Sequence, residues 1–152
     1  MANPSSAAVD EFVTFRVGVQ EFCIDIISVR EIRGWSDATA LPHAPPYVRG
    51  VINLRGLVLP IVDLAQRLNL ERTEASQRHV IIVAQVGAQI VGLLVDAVSE
   101  ILSYSMSDIQ PIPDMATESV KSFVRGMMAL EGRLIGLIKL DSIMPALGSA
   151  GL

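Results

Sequence analysis

Few residues in this chain carry side chains that could do covalent, acid–base or metal chemistry, and their spacing assembles no known site. There are two histidines and one cysteine in 152 residues. His43 lies in the proline-rich stretch LPHAPP, and His79 enters an apolar run 36 positions later. Neither has a Cys or a second His at ligand spacing, whereas a zinc or metal-hydrolase shell draws on three or four such groups. No serine stands in a G-x-S-x-G setting, and spacing implies no His–Asp pair. GVINLRG at 50–56 has two glycines but no Lys-Ser/Thr after the second, so it reads as turn chemistry, not a phosphate loop. Cys23, flanked by Phe22 and Ile24, reads as a small packing residue, and a lone cysteine builds no disulfide framework. The expectation is a chain with no enzymatic activity, no cofactor and no metal.

Two features rise above this background. Arg55 falls in the turn of an apolar hairpin, an exposed place for a cation. Val29, Glu31 and Ile32 set an acidic residue between apolar ones in a connecting segment, which is either an ordinary amphipathic turn or one wall of a seam.

The element that positions Arg55 is residues 49–64, RGVINLRGLVLPIVDL, read as strand, tight turn, strand and helix start. Gly56 tolerates positive φ, Asp63 is placed to cap a helix, and Pro60 points to an edge strand or a bulge. The chain contains this element twice. At a spacing of 76, RGMMALEGRLIGLIKL matches Arg49 with Arg125, Gly50 with Gly126, Gly56 with Gly132 and Leu64 with Leu140. Glu131 stands where Arg55 stands. At a spacing of 69, Gly18 matches Gly87, Val29 matches Val98, Glu31 matches Glu100 and Ile32 matches Ile101. Such self-similarity is the mark of an internal duplication.

Period-2 alternation and turn residues then predict about five short strands per half, the pattern of a small closed barrel. The first half reads as strands at 12–17 and 21–26, a helical turn at 27–32, a strand at 33–38, a rigid loop at 41–46, strands at 48–54 and 57–62, and a short helix at 63–70. The second reads as strands at 80–86, 89–95, 98–102 and 109–113, a helix at 117–123, strands at 124–130 and 134–140, and a last turn capped by Asp141. Residues 1–10 read as a disordered lead-in and 148–152 as a tail. A single domain at 11–147 is expected, divided into 11–72 and 79–147 by the polar link 71–78.

Composition narrows the function classes. Twelve basic against sixteen acidic residues give a net charge of −4, with no basic stripe for nucleic acid or anionic lipid. The longest apolar runs, at 80–84 and 90–95, fall well below the ~18 residues of a membrane helix. Residues 1–10 lack the charged and apolar regions of a signal peptide. An apolar share of 51 % with only 18 % charged is high for a small chain. That excess must be buried between the halves or against other proteins.

Four blocks together carry a resemblance: EFCIDIISVREIRG (21–34), YVRGVINLRGLVLPIVDL (47–64), VGLLVDAVSEIL (91–102) and VRGMMALEGRLIGLIKL (124–140). In this order, over about residues 12–147, the chain resembles the CheW family of bacterial chemotaxis coupling proteins. The resemblance implies an all-β fold of two SH3-like five-stranded barrels with short helices. It also implies a cytoplasmic, non-enzymatic adaptor that couples methyl-accepting chemoreceptors to the histidine kinase CheA. The receptor's helical-hairpin tip would lie in the groove between barrels, against Val29, Glu31, Ile32, Arg55, Val98 and Ile101. The kinase's regulatory domain would pack barrel to barrel, along an edge including Gly50, Val80 and Ile81. The same domain occurs fused in kinases and in receiver proteins; this chain has room for neither, which favours a free-standing adaptor. The output served is either flagellar or another, such as pili. Residues 141–152, short and broken by Pro145 and Gly148, depart from the longer terminal helix of many members.

Overall fold

The computed structural model describes residues 9–144. The expected tail at 148–152 lies outside them, as do residues 1–8 of the expected lead-in. Val9 and Asp10, assigned to that lead-in, instead open the first strand.

Ten strands and three short helices follow in order: β1 (Val9–Val17), β2 (Gln20–Asp25), β3 (Val29–Gly34), β4 (Val48–Leu54), β5 (Leu57–Asp63), α1 (Leu64–Arg67), β6 (Val80–Val86), β7 (Gln89–Val95), β8 (Ala97–Ser105), α2 (Glu118–Phe123), β9 (Val124–Leu130), β10 (Arg133–Ile138) and α3 (Leu140–Ile143). The two core hairpins turn alike. Arg55 and Gly56 have φ of 51° and 88°, Glu131 and Gly132 of 50° and 78°. Paired positive φ values match the twist of the flanking strands, and Asn53 Oδ1 accepts the Gly56 N–H at 2.7 Å.

Local expectations needed four corrections. The helical turn expected at 27–32 is a single 3₁₀ turn, Ile26–Ser28, because the alternation from Val29 onward pairs with β6. The strand expected at 33–38 is therefore β3. The strand expected at 109–113 shrinks to one bridge, Gln110 with Met127, since Pro111 and Pro113 donate nothing to a ladder. Pro60 sits in an internal strand, not an edge, but β5 joins β7 only from Ile61 onward. Asp63 caps α1 as expected, whereas Asp141 lies in the first turn of α3, whose cap position, Lys139, makes no side-chain capping bond.

The larger correction concerns the halves. One sheet runs β3-β6-β7-β5-β4 and the other β8-β1-β2-β10-β9. The first, here the central barrel, takes its strands from 29–95. The second, the terminal barrel, combines β1 and β2 with β8 to β10. The expected division into 11–72 and 79–147 is thus overturned: each repeat gives its first hairpin to the other. The swap is symmetric in register. Parallel pairing sets Leu137 against Cys23, and the repeat spacings carry that pair onto Ile61 and Gly92, which are also paired. A half of ~70 residues has little core of its own, and exchanging hairpins merges the two.

Three apolar clusters result. Ile52, Leu59, Ile61, Ile81 and Leu94 fill the central barrel, and Phe12, Cys23, Met128, Ile135 and Leu137 fill the terminal one. The largest lies between them, with Phe15, Phe22 and Ile24 from one barrel against Val62, Ile82 and Leu93 from the other. Each such side chain is worth about 1.5–3 kcal/mol of burial. Much of the apolar excess in the composition is this seam.

Candidate protein-docking surface

β3 and β4 are the two edge strands of the central barrel, and one ion pair spans them. Arg55, held in the β4–β5 turn with 72 % of its side chain exposed, donates from Nη2 to Glu31 Oε1 of β3 at 2.5 Å. Arg33 Nη1 lies 4.0 Å from Glu31 Oε2. Next in the strand, Ile32 is 46 % exposed. Val29 is half-buried and packs on the inter-barrel cluster, as does Val98 of the terminal barrel. Ile101, the repeat counterpart of Ile32, is 57 % exposed. The fold therefore brings Val29 and Val98 to one seam, joins Glu31 to Arg55, and leaves an exposed isoleucine on each of the edge strands β3 and β8.

The three residues expected on a kinase-facing edge are placed differently. Val80 is half-buried against the inter-barrel cluster. Ile81 is fully buried inside the central barrel, so its side chain has no surface to offer. Gly50 is buried with φ of 142°, and a Cβ there would lie 2.3 Å from Thr39 O. Gly50 and Ile81 are corrected from contact residues to residues that shape the barrel. An exposed apolar group nearby is Val58, which shares a shallow depression with Thr39, Val51 and Asn53.

The terminal barrel has its own charged cluster. Arg133 donates to both oxygens of Glu21, at 3.0 and 2.8 Å, and to Glu100 Oε2 at 2.9 Å. Glu100 is the counterpart of Glu31, so the acid is kept while its cation has moved two positions, from the turn into β10. The Arg133 hydrogen bond holds the Glu21 carboxyl below its ordinary range, and both carboxylates raise the arginine. Repeat matching revealed the acid; nothing in the sequence marked Arg133.

The fold also makes the His–Asp pair that spacing did not imply. His79 Nε2 lies 3.1 Å from Asp96 Oδ1, and Asp96 Oδ2 accepts the Gly18 N–H at 2.6 Å. His79 Nδ1 accepts the Ser76 N–H at 3.0 Å, which occupies the lone pair a general base would use. The group ties the 71–79 link to the terminal barrel's first turn. Burial pushes the Cys23 thiol up to about 12, as expected of a packing residue.

A sequence model described as the CheW-like domain matches residues 11–147. The chain belongs to the CheW family. It is 61 % identical over 136 residues to the chemotaxis protein CheW of Rhizobium meliloti, covering 90 % of this chain and 88 % of that one. It is 34 % identical to the chemotaxis protein CheW of Klebsiella aerogenes, covering 88 % and 81 %. The crystal structure of the scaffolding protein TtCheW from Thermoanaerobacter tengcongensis superposes with a TM-score of 0.78 at 31 % identity, covering 86 % of this chain and 88 % of that one. The expected fold of two SH3-like five-stranded barrels and the chemotaxis scaffold role of this family hold for this chain. Among the described residues, no helix is long and apolar enough to cross a membrane.

Proposed function

We propose that this chain is a cytoplasmic adaptor that binds the tip of a methyl-accepting chemoreceptor and the regulatory domain of a CheA-type kinase, by non-enzymatic contact. The observation that carries the receptor half is the Glu31–Arg55 pair beside the Val29–Val98 seam, with Ile32 and Ile101 exposed. A helical hairpin presents apolar side chains at i, i+3, i+4 and i+7, which suit such a seam, while the ion pair offers charge for register. The kinase half docks on the central barrel, with Gly50 in the edge strand β4, Val80 and Ile81 in β6 behind the edge strand β3, and Val58 supplying exposed apolar surface. An interface needs such apolar groups at its centre.

Calorimetric titration with a receptor-hairpin fragment and with the kinase regulatory domain from the same source tests both halves. Arg55→Glu is expected to reverse the charge opposite Glu31 and weaken the hairpin by about 10-fold or more while the protein stays folded. Val58→Asp is expected to weaken the kinase domain alone. An Arg55→Glu protein with unchanged hairpin affinity would refute the receptor assignment.

A further inference from the structure

One cation at the junction of the barrels has no carboxylate partner among the described residues. Arg67, the last residue of α1, follows β5 of the central barrel. Its guanidinium carbon lies 4.1 Å from the centre of the Tyr47 ring and 4.6 Å from that of Phe123. Tyr47 enters β4 and Phe123 enters β9, and the repeat spacing of 76 makes them counterparts. The same guanidinium donates to Ser142 O at 3.0 Å and to Ile143 O at 3.4 Å, the end of α3, which follows β10 of the terminal barrel. Arg67 thus sits between symmetry-related aromatics and reaches carbonyls of the opposite barrel. Beside it, Asn69 Nδ2 donates to Ser119 Oγ at 2.5 Å. The counterpart of Arg67 in the second repeat is Ile143, fully buried, so a single arginine makes this contact for both halves.

The apolar cluster between the barrels resists separation but says little about rotation, because dispersion and burial are non-directional. A planar guanidinium stacked on two rings and hydrogen-bonded along its edge is directional. We propose that Arg67 is a positioning residue, setting the placement of one barrel against the other and hence the affinity for a ligand that touches both. In the receptor reading above, on which the binding part of this inference rests, the hairpin spans Val29 and Ile32 of one barrel and Val98 and Ile101 of the other. The kinase domain touches the central barrel alone. If loosening leaves a tenth of the molecules aligned, affinity for the spanning ligand falls about 10-fold and affinity for the other is unchanged.

Arg67→Met keeps the stem and removes the fork; Arg67→Lys keeps the charge and is the fallback should Arg67→Met fail to fold. The first readout needs no partner. Spin labels at Val58→Cys and Leu134→Cys, 68 % and 65 % exposed on the two barrels, report the distance between them, and buried Cys23 does not compete for label. A narrow distribution that broadens on Arg67→Met supports the proposal, and an unchanged width overturns it. The second readout is the split in affinity: about 10-fold weaker hairpin binding, kinase-domain binding within about 2-fold. Equal losses for both would mark Arg67 as merely structural and overturn the binding part. A parent chain that binds neither partner would overturn the binding part together with the adaptor reading, while the distance measurement would still judge the positioning role.

Discussion

The central and terminal barrels share one topology and register, yet they differ where polar groups are buried. In the central barrel, Asp63 is fully buried and answered from several sides. Thr73 Oγ1 donates to it at 2.8 Å, the Thr73 N–H at 3.0 Å, and Arg49 Nε approaches to 3.4 Å, while Arg49 also donates to Thr73 O. This ties the polar link to the end of β5. In the terminal barrel, the counterpart of Asp63 is Lys139, half-buried, with Nζ donating to Lys121 O at 3.2 Å. That barrel keeps its main charges at the surface, in the Glu21–Arg133–Glu100 cluster. One repeat uses a buried acid to fasten a loop, and the other has a lysine at the matching position. Duplication preserved backbone register and left the polar fastenings free to diverge.

The most forceful way to break the comparison is to make the first repeat resemble the second. Asp63→Lys would place a cation opposite Arg49 in a buried site and should destabilise by about 3–5 kcal/mol, read from the urea midpoint. Lys139→Asp, the reverse change, should stay within about 1 kcal/mol because the site is wetter. Equal effects would show that the barrels are not fastened differently.

Gly50→Ala should come next, at about 1–3 kcal/mol, since a Cβ would meet backbone at 2.3 Å and φ is 142°. Its counterpart should suffer less from the same change: at Gly126 the backbone atom met, Gln110 O, lies at 2.9 Å beside Ile109 Cγ2 at 2.5 Å, and φ there is outside the left-handed region. Greater loss at Gly126 would reverse this ranking.

A smaller effect depends on pH. Glu21 has a folded pKa below its ordinary value, so as pH falls the unfolded chain takes up the proton first. Its stabilisation is present above the ordinary glutamate range and is lost as pH drops through the folded pKa. The stability gap between the parent and Arg133→Met should therefore close in acid. A gap constant from pH 7 to pH 3 would show that the ion pair carries none of it. Smallest of all, Arg55→Glu should leave stability within about 0.5 kcal/mol, because the side chain is 72 % exposed and its effect is on binding.

Much of this was legible in sequence. Turn glycines and alternation located most strands to within a residue or two, and the repeat gave the counterpart pairs. Arg55 could be read as an exposed turn residue. Arg133, Arg67 and the His79–Asp96 pair could not, because each joins residues far apart in the chain. Arg133 reaches Glu21 from 112 positions away and Arg67 reaches Ser142 from 75. Ile81 reached the kinase-facing edge through the family resemblance, and its burial in the internal strand β6 is visible only in three dimensions.

Local physics determined the elements. Positive φ at the turns, prolines at 111 and 113, and the side-chain period of a strand depend only on neighbours in the chain. The amino-acid order also carried the family, whose sequence model matches residues 11–147. Which strands pair was decided only in three dimensions. Both repeats offer the same hairpins with the same register, so a repeat closing on itself and a repeat exchanging β1–β2 for β6–β7 look alike in sequence. The exchange places Phe15, Phe22 and Ile24 opposite Val62, Ile82 and Leu93 in one continuous core. That seam, with Arg67 at its end, gives two small barrels a fixed relation to each other.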